Sequence, residues 1–190
     1  ASDVYKRQID TNDALEERAL GDDDAPVKIE EYASMTCSHC AHFYNEIFPK
    51  LKNQYIDKGK VYFVFSDFPL NAPAMHASMI ARCVPENKYF DFIHTLFAEQ
   101  EKWGFDPNYL TYLKDTAAKN GVNGATFQSC LQNSEIQQGI VKRMEAAQAQ
   151  WQINSTPSFI VNNKKVISGT VPYEEFVKNI EEALGNPVPR

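Results

Sequence analysis

Two cysteines three positions apart, in Cys37-Ser38-His39-Cys40, are the residues of this chain best suited to chemistry. At a helix start this spacing lets the two sulfurs close a disulfide across the first turn. The first thiol then lies where unsatisfied backbone N–H groups and the positive helix end stabilise a thiolate. Thiolate is the nucleophile in disulfide exchange, so this placement lowers the pKa of Cys37 and makes it reactive. His39, a polar group between the sulfurs, pushes the same way. Stabilising the reduced thiolate makes the disulfide the less stable partner, and such a pair gives its disulfide away. Other uses of the motif fit less well. A zinc site needs two more soft ligands, and no second Cys-x-x-Cys or histidine-rich knuckle is present. Covalent haem attachment needs His directly after the second Cys, where this chain has Ala41. An inert structural disulfide stays open, although a helix N-terminus is an unusual home for one. The expectation is a redox-active disulfide with no metal and no organic cofactor.

Three further groups bear on the dithiol. Ser155-Thr156-Pro157-Ser158-Phe159 precedes a β-rich run, and proline at a strand start lacks a ladder donor and has access to a cis bond. Glu31 shares a strand face with Val27 and Ile29, the inward one by alternation. Placed beneath the dithiol, it would have a raised pKa and relay the proton of Cys40. A carboxylate at a strand end in water is the other reading, for which adjacent Glu30 is the natural candidate. Cys83 and Cys130 stand alone; they form either a second, non-catalytic disulfide or two buried free thiols.

The elements that must position these residues follow from periodicity. Residues 27–33 (VKIEEYA) and 61–68 (VYFVFSDF) read as strands, and 37–58 between them as a helix with Phe43, Ile47, Leu51 and Tyr55 on one side. Pro49 predicts a kink in that helix. Strand, helix, strand implies a parallel crossover. From 71 to 154 there is no convincing strand, only helical patterns at 72–83, 89–101, 107–119, 124–131 and 135–151. The β signal returns at 158–161 and 165–168 as a hairpin about Asn162-Asn163, and 172–184 is amphipathic. The expected architecture is therefore α/β. Residues 1–26 form a polar lead-in, 27–70 and 155–185 one domain, and 71–154 an inserted all-helical block.

Composition narrows the class. Hydrophobic residues make up 43% and charged residues 23%, a mix that fills a globular core. The net charge is −6, with Glu16, Glu17, Asp22, Asp23 and Asp24 clustered, which argues against a nucleic-acid partner. No apolar run approaches the roughly 20 residues of a membrane span. No basic stretch followed by an apolar one opens the chain, so no signal peptide is read there. An even cysteine count, divided into a close and a distant pair, fits an oxidising compartment.

Taken in order, DAPVKIEEYASMTCSHC, VYFVFSDFPLN, STPSFIVN and SGTVPYEEF resemble the DsbA family of bacterial thiol–disulfide oxidoreductases, from about residue 25 to 184. That family is the established example of an oxidising dithiol with a low-pKa attacking thiol. The resemblance implies a thioredoxin fold with a helical insertion. By the same resemblance Cys37 is the attacking cysteine, Cys40 the buried resolving one and His39 the histidine that tunes the pair. Glu31 is the buried acid, and Pro157 a cis-proline facing the disulfide with Thr156 before it. Backbone groups at Thr156 and Pro157, with Met35 and the loop 169–171 at the border, would hold an extended substrate segment. Ser38 stands where many members carry Pro, a departure that bears on the strength of the oxidant.

The implied function is disulfide donation to unfolded or partly folded exported proteins in a periplasmic or otherwise extracytoplasmic compartment. It implies a monomer reoxidised by a membrane quinone-linked partner. A disulfide isomerase or reductase on the same fold is the nearest alternative. Isomerases of this type dimerise through an N-terminal domain, for which 26 polar residues are too few. A non-catalytic peptide-binding or chaperone module is the alternative from another class.

Overall fold

A computed structural model describes residues 9–187. A short helix α1 (Thr11–Ala14) leads into strand β1 (Arg18–Leu20), followed by β2 (Val27–Ala33). A long interrupted helix comes next. Its first segment is α2 (Ser38–His42), a wide turn spans Phe43–Ile47, α3 (Phe48–Leu51) carries Pro49, and a second wide turn covers Lys52–Ile56. Proline lacks the N–H of a regular turn, and the widened turns on either side of α3 absorb that loss as the expected interruption.

After β3 (Val61–Asp67) come α4 (Ala72–Cys83), α5 (Tyr89–Ala98), α6 (Gln100–Trp103), α7 (Tyr109–Lys119), α8 (Gly124–Leu131) and α9 (Ser134–Trp151). Then β4 (Ser158–Val161), β5 (Lys165–Ser168) and α10 (Tyr173–Leu184) complete the chain. The sheet order is β1-β3-β2-β4-β5. β2 and β3 are parallel, as a right-handed strand–helix–strand unit requires, whereas β1, β4 and β5 pair antiparallel to their neighbours.

Alternation along β2 assigns its side chains to two cores. Val27, Ile29 and Glu31 face the layer of α2–α3 and α10, where Phe43 meets Phe159 at 4.6 Å and Phe159 meets Phe176 at 4.8 Å between ring centroids. Tyr32 faces a second cluster with Phe68, Ala147, Ile153 and Ile160, covered by α9. Glu30, the carboxylate read from sequence as solvated, is half-buried on that side; it accepts hydrogen bonds from Tyr32 Oη and Ser66 Oγ, both at 2.9 Å. Cys83 and Cys130 form a disulfide that ties α4 to α8, with Cα atoms 6.4 Å apart.

The polar lead-in needs correcting. Residues 1–8 lie outside the described residues, but 9–26 are built into the fold. Arg18 begins the strand that extends the sheet beyond β3, and it is buried along with Ala14. A three-residue strand is too short to show a period-2 pattern, and its charged flanks made it look like tail. Gly21 closes this strand at φ +98°, where an added Cβ would sit 2.6 Å from the Val61 carbonyl oxygen. Gly21→Ala is expected to destabilise the fold by about 1–3 kcal/mol, since both the left-handed backbone and the backbone contact penalise a side chain. An unchanged urea midpoint would contradict that expectation.

Candidate active site

The dithiol sits where β2 ends and the long helix begins. Cys37 is the N-cap, at φ −79° and ψ 120°, and its backbone N–H donates to the Ser34 carbonyl at 3.1 Å. Its carbonyl accepts the first helical bond, from the Ala41 N–H at 3.1 Å. An N-cap side chain projects over the open N–H groups of the first turn, and here that side chain is a thiol. The two sulfurs have different surroundings. Cys37 is half-buried and Cys40 fully buried, both as free thiols.

Hydrogen bonding from the Cys40 thiol, then from the Thr156 side chain and the backbone N–H groups of Cys40 and His39, outweighs desolvation and holds the Cys37 pKa down at about 5. Burial, reinforced by the Cys37 bond and the nearby Glu31 charge, drives the Cys40 thiol far above its ordinary value. A low-pKa thiol at the surface and a thiol below it that resists ionisation is the asymmetry that disulfide exchange needs.

Glu31 is fully buried, neither carboxyl oxygen has a hydrogen-bond partner among the described residues, and burial followed by the Cys37 charge raises its pKa well above the carboxylate range. It lies on the inward face of β2, opposite Phe159 of β4, and its charge opposes ionisation of Cys40. An orphaned buried carboxyl is rare and signals either a proton-handling role or a water held there.

The Thr156–Pro157 peptide is cis and lies across from the helix start; Cys37 Sγ is 3.5 Å from the Thr156 carbonyl oxygen. That contact serves a protonated thiol, because a thiolate has nothing to donate. The Thr156 hydroxyl is buried too, and among the described residues the Cys37 sulfur is the group it can serve. His39 is exposed on the first turn. Cys37, Cys40, Glu31, Thr156 and Pro157 thus converge, with His39 on the solvent side.

Met35 does not join them as a surface group. It is fully buried in the main core, so it offers no apolar rim to a docked chain. The loop Ser34–Thr36 turns inward under the helix start, which the strand's alternation could not reveal. Two polar residues without a sequence signal support this loop instead. Gln100 Nε2 donates to the Met35 and Cys37 carbonyls, and Thr36 Oγ1 donates to Asn71 Oδ1, the N-cap acceptor of α4, at 3.1 Å. Beside them a cleft of about 320 Å³ runs between α2 and the α5–α6 junction, bordered by Ser38, His42 and Gln100. A wider concavity, about 900 Å³ over Tyr44, Phe48 and Phe90, holds none of the dithiol groups.

A family model described as Thioredoxin matches residues 13–182. Among curated proteins, one from Rickettsia conorii named as a protein-disulfide oxidoreductase is 30% identical over 93% of this chain. Disulfide bond formation protein D of Bacillus subtilis is 29% identical over 87% of this chain and 76% of its own length. The chain spans only 62% of the length of the Rickettsia conorii relative. Two solved structures superpose closely. Wolbachia pipientis alpha-DsbA1 gives a TM-score of 0.83 at 31% identity, covering 89% of this chain and 91% of that one. Oxidised BdbD from Bacillus subtilis gives 0.79 at 28%, covering 90% and 94%. On both its sequence and its fold, a thioredoxin domain with an inserted helical block, the chain belongs to the DsbA family of thiol–disulfide oxidoreductases.

Proposed function

We propose that the chain donates the Cys37–Cys40 disulfide to exported proteins that are still folding, outside the cytoplasm. The observation that carries this is the contrast between Cys37, half-exposed with a pKa near 5, and fully buried Cys40, whose thiol is held protonated. A substrate thiolate attacks Sγ of Cys37, the Cys37–Cys40 bond breaks, and the sulfur of Cys40 leaves carrying the electron pair. Burial makes that thiolate costly, so it takes a proton, and protonated Glu31 is the group positioned to supply one. A second substrate thiolate then attacks the substrate sulfur of the mixed disulfide and expels Cys37 as a thiolate. A leaving thiol of low pKa departs readily, which drives donation forward. Two electrons pass from the substrate dithiol to the pair, and a quinone-linked membrane oxidase is the class of partner that would take them on. During the mixed-disulfide stage the substrate backbone would lie along Thr156 and Pro157, and the protein would act as a monomer.

Equilibration with a glutathione redox buffer tests the reading, together with a pH titration of the thiolate absorbance of the reduced protein. The expected result is an oxidising potential and a titration midpoint near pH 5. A midpoint near the ordinary thiol value of about 8.5, with a reducing potential, would make the chain a reductase or isomerase instead. Stability provides a second check. A folded-state pKa below the unfolded one stabilises the reduced chain above the unfolded value, and this contribution is lost as pH falls through the folded value. The melting temperature of the reduced form should therefore gain on that of the oxidised form as pH rises from about 5 toward about 8.5.

A further inference from the structure

Helix α5 breaks at Glu99, which has φ −107° and ψ 17°, and α6 begins one residue later at Gln100. Asn45 Nδ2, from the active-site helix, donates to the Phe97 carbonyl at 3.2 Å, and Trp103 Nε1 donates to the Leu96 carbonyl at 2.9 Å. The break thus has its carbonyls satisfied and is part of the structure, as buried backbone groups require. Its effect is to turn Gln100 toward the dithiol. Gln100 is 5% exposed, and its Nε2 donates to the Met35 carbonyl at 2.9 Å and to the Cys37 carbonyl at 3.0 Å. A primary amide nitrogen has two hydrogens, and both partners are acceptors, so the network fixes which end of the amide faces the loop.

Cys37 has extended backbone angles outside the helix, so where its sulfur lies over the first turn depends on how its backbone is held. What fixes the residue is its backbone: the N–H on Ser34, the carbonyl on Ala41 N–H, and the same carbonyl on Gln100. Among the described residues, Gln100 is the one side chain that hydrogen-bonds the Cys37 backbone. The first two bonds belong to the β2–α2 turn itself, whereas the third comes from the inserted block.

We propose that Gln100 is a positioning residue for the dithiol: from the helical block its amide fixes the Cys37 backbone, and so sets how closely the sulfur approaches the N–H groups of the first turn. The inference rests on the exchange reading above. It gives the inserted block a role in the chemistry of a pair that the thioredoxin domain supplies. Charge–dipole attraction weakens with distance, so a sulfur that drifts outward loses thiolate stabilisation and, with it, oxidising strength.

Gln100→Met keeps the length and removes both donors. Gln100→Asn keeps the amide but is one methylene too short to reach. For each folded variant the thiolate titration and the glutathione equilibrium are measured beside the parent chain. The expected result is a titration midpoint about one unit higher and a disulfide about tenfold more stable against glutathione, since one pKa unit is a factor of ten in the thiolate equilibrium. Variants that fold with midpoint and equilibrium unchanged would overturn the assignment. So would failure of both to fold, which would make Gln100 a general requirement of the core. If the parent chain itself titrates as an ordinary thiol, the exchange reading fails; a parent with a low midpoint and variants that match it would refute the role of Gln100 alone.

Discussion

Cys37→Ser is expected to lower disulfide donation to a reduced dithiol peptide by on the order of a thousandfold or more, the scale of losing a covalent centre. A hydroxyl forms no disulfide, so the electron-accepting bond disappears. Cys40 cannot take over, because it is fully buried and its thiol is held protonated. Cys40→Ser should behave differently. It leaves the half-exposed, low-pKa Cys37 able to form mixed disulfides but removes the thiol that resolves them, so covalent adducts should accumulate. Loss of substrate thiols with time gives the rate, and non-reducing electrophoresis shows the adducts. Donation by Cys37→Ser at more than a tenth of the parent rate would mean that another group carries the reaction.

The chemistry of this chain was legible in its sequence where it depends on neighbours along the chain. Cys37 and Cys40 are one helical turn apart, and a strand before them with a helix after them suffices to place them at an N-terminus. The hairpin was equally local. Asn162 and Asn163 both take left-handed angles, φ 50° and 55°, which asparagine tolerates, at the head of the three-residue turn between Val161 and Lys165. The inward face of Glu31 also followed from alternation within its strand, whereas the cis bond at Pro157 rested on the family resemblance.

Features that depend on distant contacts left no such mark. Gln100 falls in a run of helical pattern, 89–101, that gave no sign of the break at Glu99 or of the loop it meets. Met35 was expected at the rim from the family resemblance alone, and only the folded loop shows that it turns inward. The proximity of Cys83 and Cys130 comes from how α4 packs on α8, which no spacing encodes. Strand β1 was hidden for another reason. It is held to the sheet by its pairing with β3 and to the rest of the fold by buried arginines, and in sequence arginine reads as surface.

Those arginines carry the other large effect. Arg82 is 4% exposed; its Nε donates to Asp67 Oδ2 at 2.6 Å, and its Nη1 donates to the Ala14 and Glu16 carbonyls at 3.0 and 2.9 Å. Arg18 donates to the Glu16 and Asp13 carbonyls at 3.1 Å, and Arg143 donates to that of Leu15. Three guanidinium groups thus grip the carbonyls at the end of α1. Asp67 is buried at the end of β3, and its Oδ1 has no partner among the described residues. Arg82→Met would therefore strand a carboxylate in the interior and release the segment before β1, at a cost of about 3–5 kcal/mol. For a domain of this size that corresponds to a melting temperature lower by roughly 6–20 °C.

Adding Asp67→Asn should recover much of the loss, because removing both charges leaves no isolated ion, whereas removing one does. Equal stability of the single and double variants would show that the carbonyl contacts, rather than the buried charge, dominate. The cluster touches neither Cys37 nor Cys40, so the glutathione equilibrium of either variant, measured well below its melting temperature, should match the parent. A potential that moved along with the melting temperature would mean that the dithiol is tuned by the stability of the whole sheet, and not by the local bonds at the helix start.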